Sequence, residues 1–344
     1  MRINYIDNKD ISYDKVKKYL NKSIKSNIFT NNGPIKYDLE RKLEKIFNIS
    51  DDKKIICLNN GTSALHALLF FYEKKYKRKL SWVSPSFTFA SIITNNSDIK
   101  ILDIDSETKT LPLNFPIEKY DGVIITNTFG SYSNIKVWEK LCKKHGKVLI
   151  FDNASSPLSE YDNTNINNYG DASFGSLHHT KYLGFGEGGF ITINEEYYDD
   201  INAISNFGFH GNRIPSTLSS NFKMSDISAA FILQHLNNVN IDNLKIIQKK
   251  IIEALTNING VELFNYKKGV VYGNIPTLFE SPIEVSKFHN LGIEVNKYYR
   301  PLRKDHINSN NIYNNIINLP LHEGIDDYDI DYLIKMIKKM LNEK

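Results

Sequence analysis

Through the first two-thirds of the chain, short apolar runs rich in β-branched residues alternate with longer stretches of helical spacing. Ile55-Ile56-Cys57-Leu58 reads as a strand, followed by a helix from Thr62 to Lys75. Further strands are expected at Ser81 to Ser84, Ile99 to Ile104, Gly122 to Thr126 and Val148 to Phe151. Between the last two, Ile135 to His145 has helical spacing and stops at Gly146, a C-terminal cap. Phe190 to Ile193 adds a strand and Ser225 to about Asn237 a helix. This rhythm predicts an α/β fold with a mostly parallel sheet wrapped by helices. After Asn240 the pattern changes to a helix over Ile241 to Thr256, short strands near Val261, Val271 and Ile293, and a terminal helix from Tyr328 to Leu341. The expectation is a large α/β domain over residues 1–238 and a smaller α+β domain over 239–344.

Composition narrows the class. A chain of 344 residues is long for one core and fits a large and a small domain. Its 41% hydrophobic and 24% charged residues are the balance of a soluble globular protein. The 43 basic and 39 acidic residues are spread along the chain, so neither a nucleic-acid nor a membrane partner is expected. Lys335, Lys338, Lys339 and Lys344 read as the solvated face of the last helix. No apolar run approaches the roughly 18 residues that cross a bilayer, and Met1-Arg2-Ile3-Asn4 lacks a signal-like apolar region. Cys57 and Cys142 have no metal-type or redox-type spacing, so reduced structural thiols in a cytoplasmic protein are expected.

Four segments carry candidate chemistry, each with a plain structural alternative. Asp152 follows the strand Val148-Leu149-Ile150-Phe151, where open α/β sheets place ligand-contacting side chains, although an Asp there also serves as a turn or cap residue. Lys181 lies in Ser176-Leu177-His178-His179-Thr180-Lys181, ahead of Gly184-Phe185-Gly186-Glu187-Gly188-Gly189. Those glycines fit G-x-G-x-x-G but lead into a strand rather than a helix, which argues against a dinucleotide fingerprint. They allow a close backbone approach to a ligand beside Lys181. The lysine is either a surface charge or, if desolvated, a Schiff-base nucleophile. Asn60-Gly61-Thr62-Ser63 joins a strand to a helix and is either an ordinary N-cap, with Thr62 or Ser63 capping, or a seat for phosphate. Phe87-Thr88-Phe89 follows another strand, and its aromatics either fill the core or stack on a planar ring. Together these parts meet the needs of pyridoxal phosphate: an amine, a phosphate cup, a stacking ring and a carboxylate for the pyridine nitrogen.

The sequence resembles the DegT/DnrJ/EryC1/StrS family of sugar aminotransferases, with fold-type I architecture. Beyond these four segments, the resemblance runs through Thr30-Asn31-Asn32-Gly33-Pro34, Asn221-Phe222-Lys223-Met224-Ser225-Asp226, Tyr298-Tyr299-Arg300-Pro301-Leu302 and Leu319-Pro320-Leu321-His322. It implies that Lys181 forms the Schiff base, Asp152 pairs with the pyridine nitrogen and Phe89 stacks on the ring. Thr62, Ser63 and Ser176 would bind the phosphate, with Asn221 reaching in from the second subunit of a homodimer with shared active sites. Ser155 stands where the family usually has Gln or His against the cofactor's 3-oxygen. Substrate contacts are implied for Asn32, His210 and Tyr299. The implied reaction moves an amino group from glutamate to a nucleotide-linked 4-keto-6-deoxyhexose, as in viosamine-type enzymes. Alternatives are a 3-keto-sugar aminotransferase and an inactive cofactor-binding regulator. The related 3-dehydratases carry His at the Lys181 position.

Overall fold

The computed structural model describes residues 2–94, 97–211 and 213–342. Strands β1 (Lys53–Leu58), β2 (Ser81–Pro85), β3 (Asp98–Leu102), β4 (Gly122–Thr126) and β5 (Val148–Asp152) are followed by a short hairpin, β6 (Glu160–Tyr161) and β7 (Thr164–Asn165). β8 (Ala172–Ser176) and β9 (Gly189–Asn194) complete a seven-stranded sheet of order β1-β9-β8-β5-β4-β2-β3. β8, β5, β4, β2 and β3 pair parallel, and β9 runs antiparallel to both its neighbours. β10 (Val261–Leu263), β11 (Ile275–Phe279) and β12 (Ile316–Leu319) form a separate antiparallel sheet.

The helices are α1 (Tyr13–Ser26), α2 (Pro34–Ile46), α3 (Gly61–Tyr76), α4 (Ile135–His145), α5 (Tyr198–Ile204), α6 (Asp226–Leu236), α7 (Ile241–Thr256), α8 (Val285–His289), α9 (Ile307–Asn315) and α10 (Asp327–Asn342). α4 starts where the Asn134 side chain accepts from Val137 N and stops at Gly146, in the left-handed region at φ 60°. α7 is capped likewise by Asn240. α10 buries Ile330, Leu333, Met336, Ile337 and Met340, spaced to make one apolar stripe, and packs against α7. Lys335, Lys338 and Lys339 are exposed, as the charge pattern predicts, and Lys344 lies outside the described residues. Both cysteines are buried and free. Among the described residues no helix is long and apolar enough to cross a membrane.

Two expected strands are corrected. Val270-Val271-Tyr272 is buried but is not a strand, because its backbone groups are taken by distant side chains. Ser159 Oγ accepts from Val271 N at 2.9 Å, and Gln248 bonds both Val270 O and Tyr272 N. A strand begins only at Ile275. Ile293 makes a single parallel bridge with Ile3. The N-terminal segment thus docks beside the smaller sheet before it enters α1.

Candidate active site

The parallel strands β1, β2, β4, β5 and β8 all end at one edge of the large sheet, and the cavity opens there. This is where strand carboxyl ends place ligands in open α/β folds. The register keeps the ends level: Thr126 pairs with Asp152, Asp152 with Phe174, and Gly189 with both Ser176 and Leu58. A cavity of about 730 Å³ results, with Thr62, Phe89, Asp152, Ser155, Ser176, Lys181 and Tyr299 on its walls.

Asp152 is the last residue of β5 and only 3% exposed. One carboxylate oxygen accepts from Ala154 N at 2.9 Å; the other faces Thr126 Oγ1 at 3.5 Å, and Thr126 is itself bonded to Thr88 at 2.8 Å. Burial pushes the carboxyl up to about 6, opposed by the Ala154 amide, by the charge of Lys181 and by Thr126. A carboxylate so desolvated favours a cationic partner. Lys181 keeps part of its surface open to the cavity, yet burial desolvates the ammonium and lowers its pKa, with Asp152 opposing. The turn that carries it is closed on itself: Lys181 N donates to His178 O at 2.8 Å, and Gly184 N to Lys181 O at 2.9 Å. A Cβ at Gly184 would lie 2.2 Å from His178 O, so this turn requires glycine.

The opposite wall is the N-terminus of α3. Its cap is Asn60, whose side chain accepts from Ser63 N at 2.8 Å, rather than Thr62 or Ser63. The first intrahelical bond is from Ala64 N to Asn60 O, so the amides of Gly61 and Thr62 precede the helical ladder. Gly189 allows the approach of β9, because a Cβ there would sit 2.3 Å from the Asn60 carbonyl carbon. The Thr62 side chain and Ser176 stand by this helix end, which with its dipole suits a phosphate. Phe89 is 59% exposed and edge-on to Tyr299. Tyr299 stacks on Phe129 and shares a 2.8 Å hydrogen bond with Ser155, while burial pushes its hydroxyl up to about 12.

Ser63, Asn32, His210 and Asn221 are not among the lining residues of this chain. Ser63 is buried within the cap. The Asn32 side chain accepts from Lys36 Nζ at 3.0 Å. His210 lies at the surface between Asp200 and Lys74. Asn221 is exposed, and its backbone bridges Asn206. The two segments holding Asn32 and Asn221 meet through Asp226, whose carboxylate accepts from Ile35 N, Lys36 N and Ser23 Oγ and so caps α2. His178 and Thr180 bond each other at 2.9 Å, and His179 packs edge-on to Phe185. Sequence reasoning missed the wall contributed by Tyr5 to Asp10, which no local pattern marks.

Residues 11–269 match the DegT/DnrJ/EryC1/StrS aminotransferase family. The dTDP-4-amino-4,6-dideoxy-D-glucose transaminase of Shigella dysenteriae is 25% identical over 340 residues, covering 91% of this chain and 92% of that protein. Among solved structures, PseC of Helicobacter pylori, an aminotransferase involved in pseudoaminic acid biosynthesis, aligns with a TM-score of 0.84 at 16% identity over 100% of both chains. A DegT DnrJ EryC1 StrS aminotransferase from Brucella abortus aligns with a TM-score of 0.81 at 19% identity over 95% of each. At these identities the structural likeness speaks for the fold.

Proposed function

Because this chain belongs to the DegT/DnrJ/EryC1/StrS aminotransferase family, we propose that it transfers the amino group of glutamate to a nucleotide-linked 4-keto-6-deoxyhexose, giving a 4-amino-4,6-dideoxy sugar nucleotide. The observation that carries the chemistry is Lys181, desolvated in a cavity it shares with the buried Asp152 and the helix end at Thr62. That donor set fits pyridoxal phosphate. When bound, this cofactor supplies an aldehyde that condenses with amines and a ring that takes up electrons as a Cα proton leaves.

Lys181 Nζ, biased toward its neutral form by burial, is the amine that holds the cofactor and then the base that moves the substrate's proton. Asp152 would hold the proton on the ring nitrogen. The Thr62 and Ser176 hydroxyls, with the α3 amides, hold the phosphate, and Ser63 supports them by keeping the Asn60 cap closed. Phe89 would supply an aromatic surface for the cofactor, and the bonded hydroxyls of Ser155 and Tyr299 would offer it hydrogen-bonding groups. A homodimer in which Asn221 reaches the partner's phosphate belongs to the same proposal, with substrate roles for Asn32 and His210 at that shared site. So does the division into domains at residues 238/239.

The choice of a 4-keto sugar is supported by the name of the Shigella relative, matched over most of both chains. Incubation with pyridoxal phosphate, glutamate and a panel of nucleotide keto-sugars should yield the mass of an amino sugar from the 4-keto-6-deoxy member. Product from a 3-keto member alone would overturn the position, and no product from any would overturn the substrate class.

A further inference from the structure

The segment Ile3–Ser12 is a strap fixed at both ends. At one end Ile3 N donates to Gly292 O and Glu294 N to Ile3 O, both at 2.8 Å, and Tyr5 N donates to the Glu294 carboxylate at 3.0 Å. At the other end Asn238 Nδ2 donates to Asp10 O at 3.2 Å and Ser12 N to Gln234 Oε1 at 3.3 Å. Between these anchors Lys9 points at the turn that carries Lys181. Its ammonium donates to His179 O at 2.7 Å, to Lys181 O at 2.6 Å and to Gly184 O at 2.5 Å. An ammonium has three protons, and each has a carbonyl here.

We infer that Lys9 is a positioning residue, whose ammonium clasps three carbonyls of one turn and so fixes the direction in which the Lys181 side chain enters the cavity. This rests on the reading of Lys181 as the cofactor-holding amine. Three carbonyls converging on one point make a locally negative site, which a charge-assisted donor fills better than a neutral one. Lys181 O uses both its lone pairs, on Gly184 N and on Lys9, so the residue's own peptide group is tied from two sides. The groups facing Lys9 leave it as the cation of the set. His179 on the turn and His235 on α6 both have pKa values lowered chiefly by burial and in part by Lys9, and Asp7 on the strap is the nearby acid. Burial brings Lys9 itself down to about 8, opposed by Asp7.

The test compares Lys9→Met and Lys9→Arg with the parent, as full-length protein. Three readouts are taken: amide exchange over residues 177–188, the pH titration of the bound cofactor's visible absorbance, and the rate of cofactor release. Lys9→Met should exchange faster over that stretch alone, shift the absorbance titration and release cofactor about tenfold faster or more. Lys9→Arg, which keeps the charge and the donors, should restore most of each. If Lys9→Met does not fold, Lys9→Gln is held to the same criteria. An unchanged absorbance titration and release rate would overturn the inference, even with a lower melting temperature, because the lysine would then serve folding alone. Lys181→Ala is the control for the premise. If it keeps the parent's colour, the reading of Lys181 has failed, while amide exchange still decides whether the clasp exists.

Discussion

At the scale of single residues, the site is an arrangement of groups held away from their comfortable ionisation states. Asp152 was legible in the sequence because it ends an apolar strand, and Lys181 because its glycine-rich setting is unlike a surface loop. Lys9 was not, since its three acceptors lie 170 to 175 residues away along the chain. The strain on Asp152 has two measurable consequences. Asp152→Asn should leave the cofactor bound but slow transamination by about two decades or more, nearly 3 kcal/mol of transition-state stabilisation. Near-normal turnover would remove Asp152 from the chemistry. The same change should stabilise the unloaded protein. Burial pushes its carboxyl up from an ordinary 3.8 to about 6, so the folded state holds the extra proton between these values. Stability is therefore lost as pH rises through that window, and at pH 8 the asparagine variant should gain on the order of 1–3 kcal/mol. Thermal melts at pH 4 and pH 8 check this. The gain should shrink at pH 4, and an equal shift at both would contradict it.

At the scale of elements, local signals succeeded where the chain satisfies itself locally. α4 and α7 match their expected ends because Asn134, Gly146 and Asn240 cap them from within a few residues. β8 escaped notice because Ala172-Ser173-Phe174-Gly175-Ser176 has little β-branched character; pairing with β5 and β9 makes it a strand. α1 sets Val16, Tyr19 and Leu20 on one face against the core, a short stripe among lysine-rich positions that the longer apolar runs downstream overshadow. The Val271 error has the opposite cause, an apolar run whose hydrogen bonds go to Ser159 and Gln248 instead of a sheet. Two substitutions test the element junctions. Gly189→Ala would press a methyl group against the Asn60 backbone. It should cost about 1–3 kcal/mol and weaken cofactor binding, measured by fluorescence titration. Asp226→Ala would leave the start of α2 and Ser23 without their buried acceptor, at about 2–4 kcal/mol in a denaturant melt, with Lys181 untouched.

At the scale of the whole molecule, the fold class was readable from the β-α-β rhythm, and the large sheet is mostly parallel with β9 reversed. What local pattern could not show is how the N-terminal strap spans from the edge of the smaller sheet to the Lys181 turn. The proposed dimer is tested by mixing subunits. A Lys181→Ala chain paired with an Asn221→Ala chain should regain one complete site and so exceed both parents in activity. Activity no higher than the parents would contradict the reach of Asn221 across subunits. The proposed chemistry depends on Lys181 as the residue that holds the cofactor. The most direct measurement is borohydride reduction of the yellow, loaded protein followed by peptide mass mapping. The cofactor's mass should be fixed on the peptide containing Lys181 and be absent from Lys181→Ala. A label on Lys9, Lys223 or any other lysine would contradict the account.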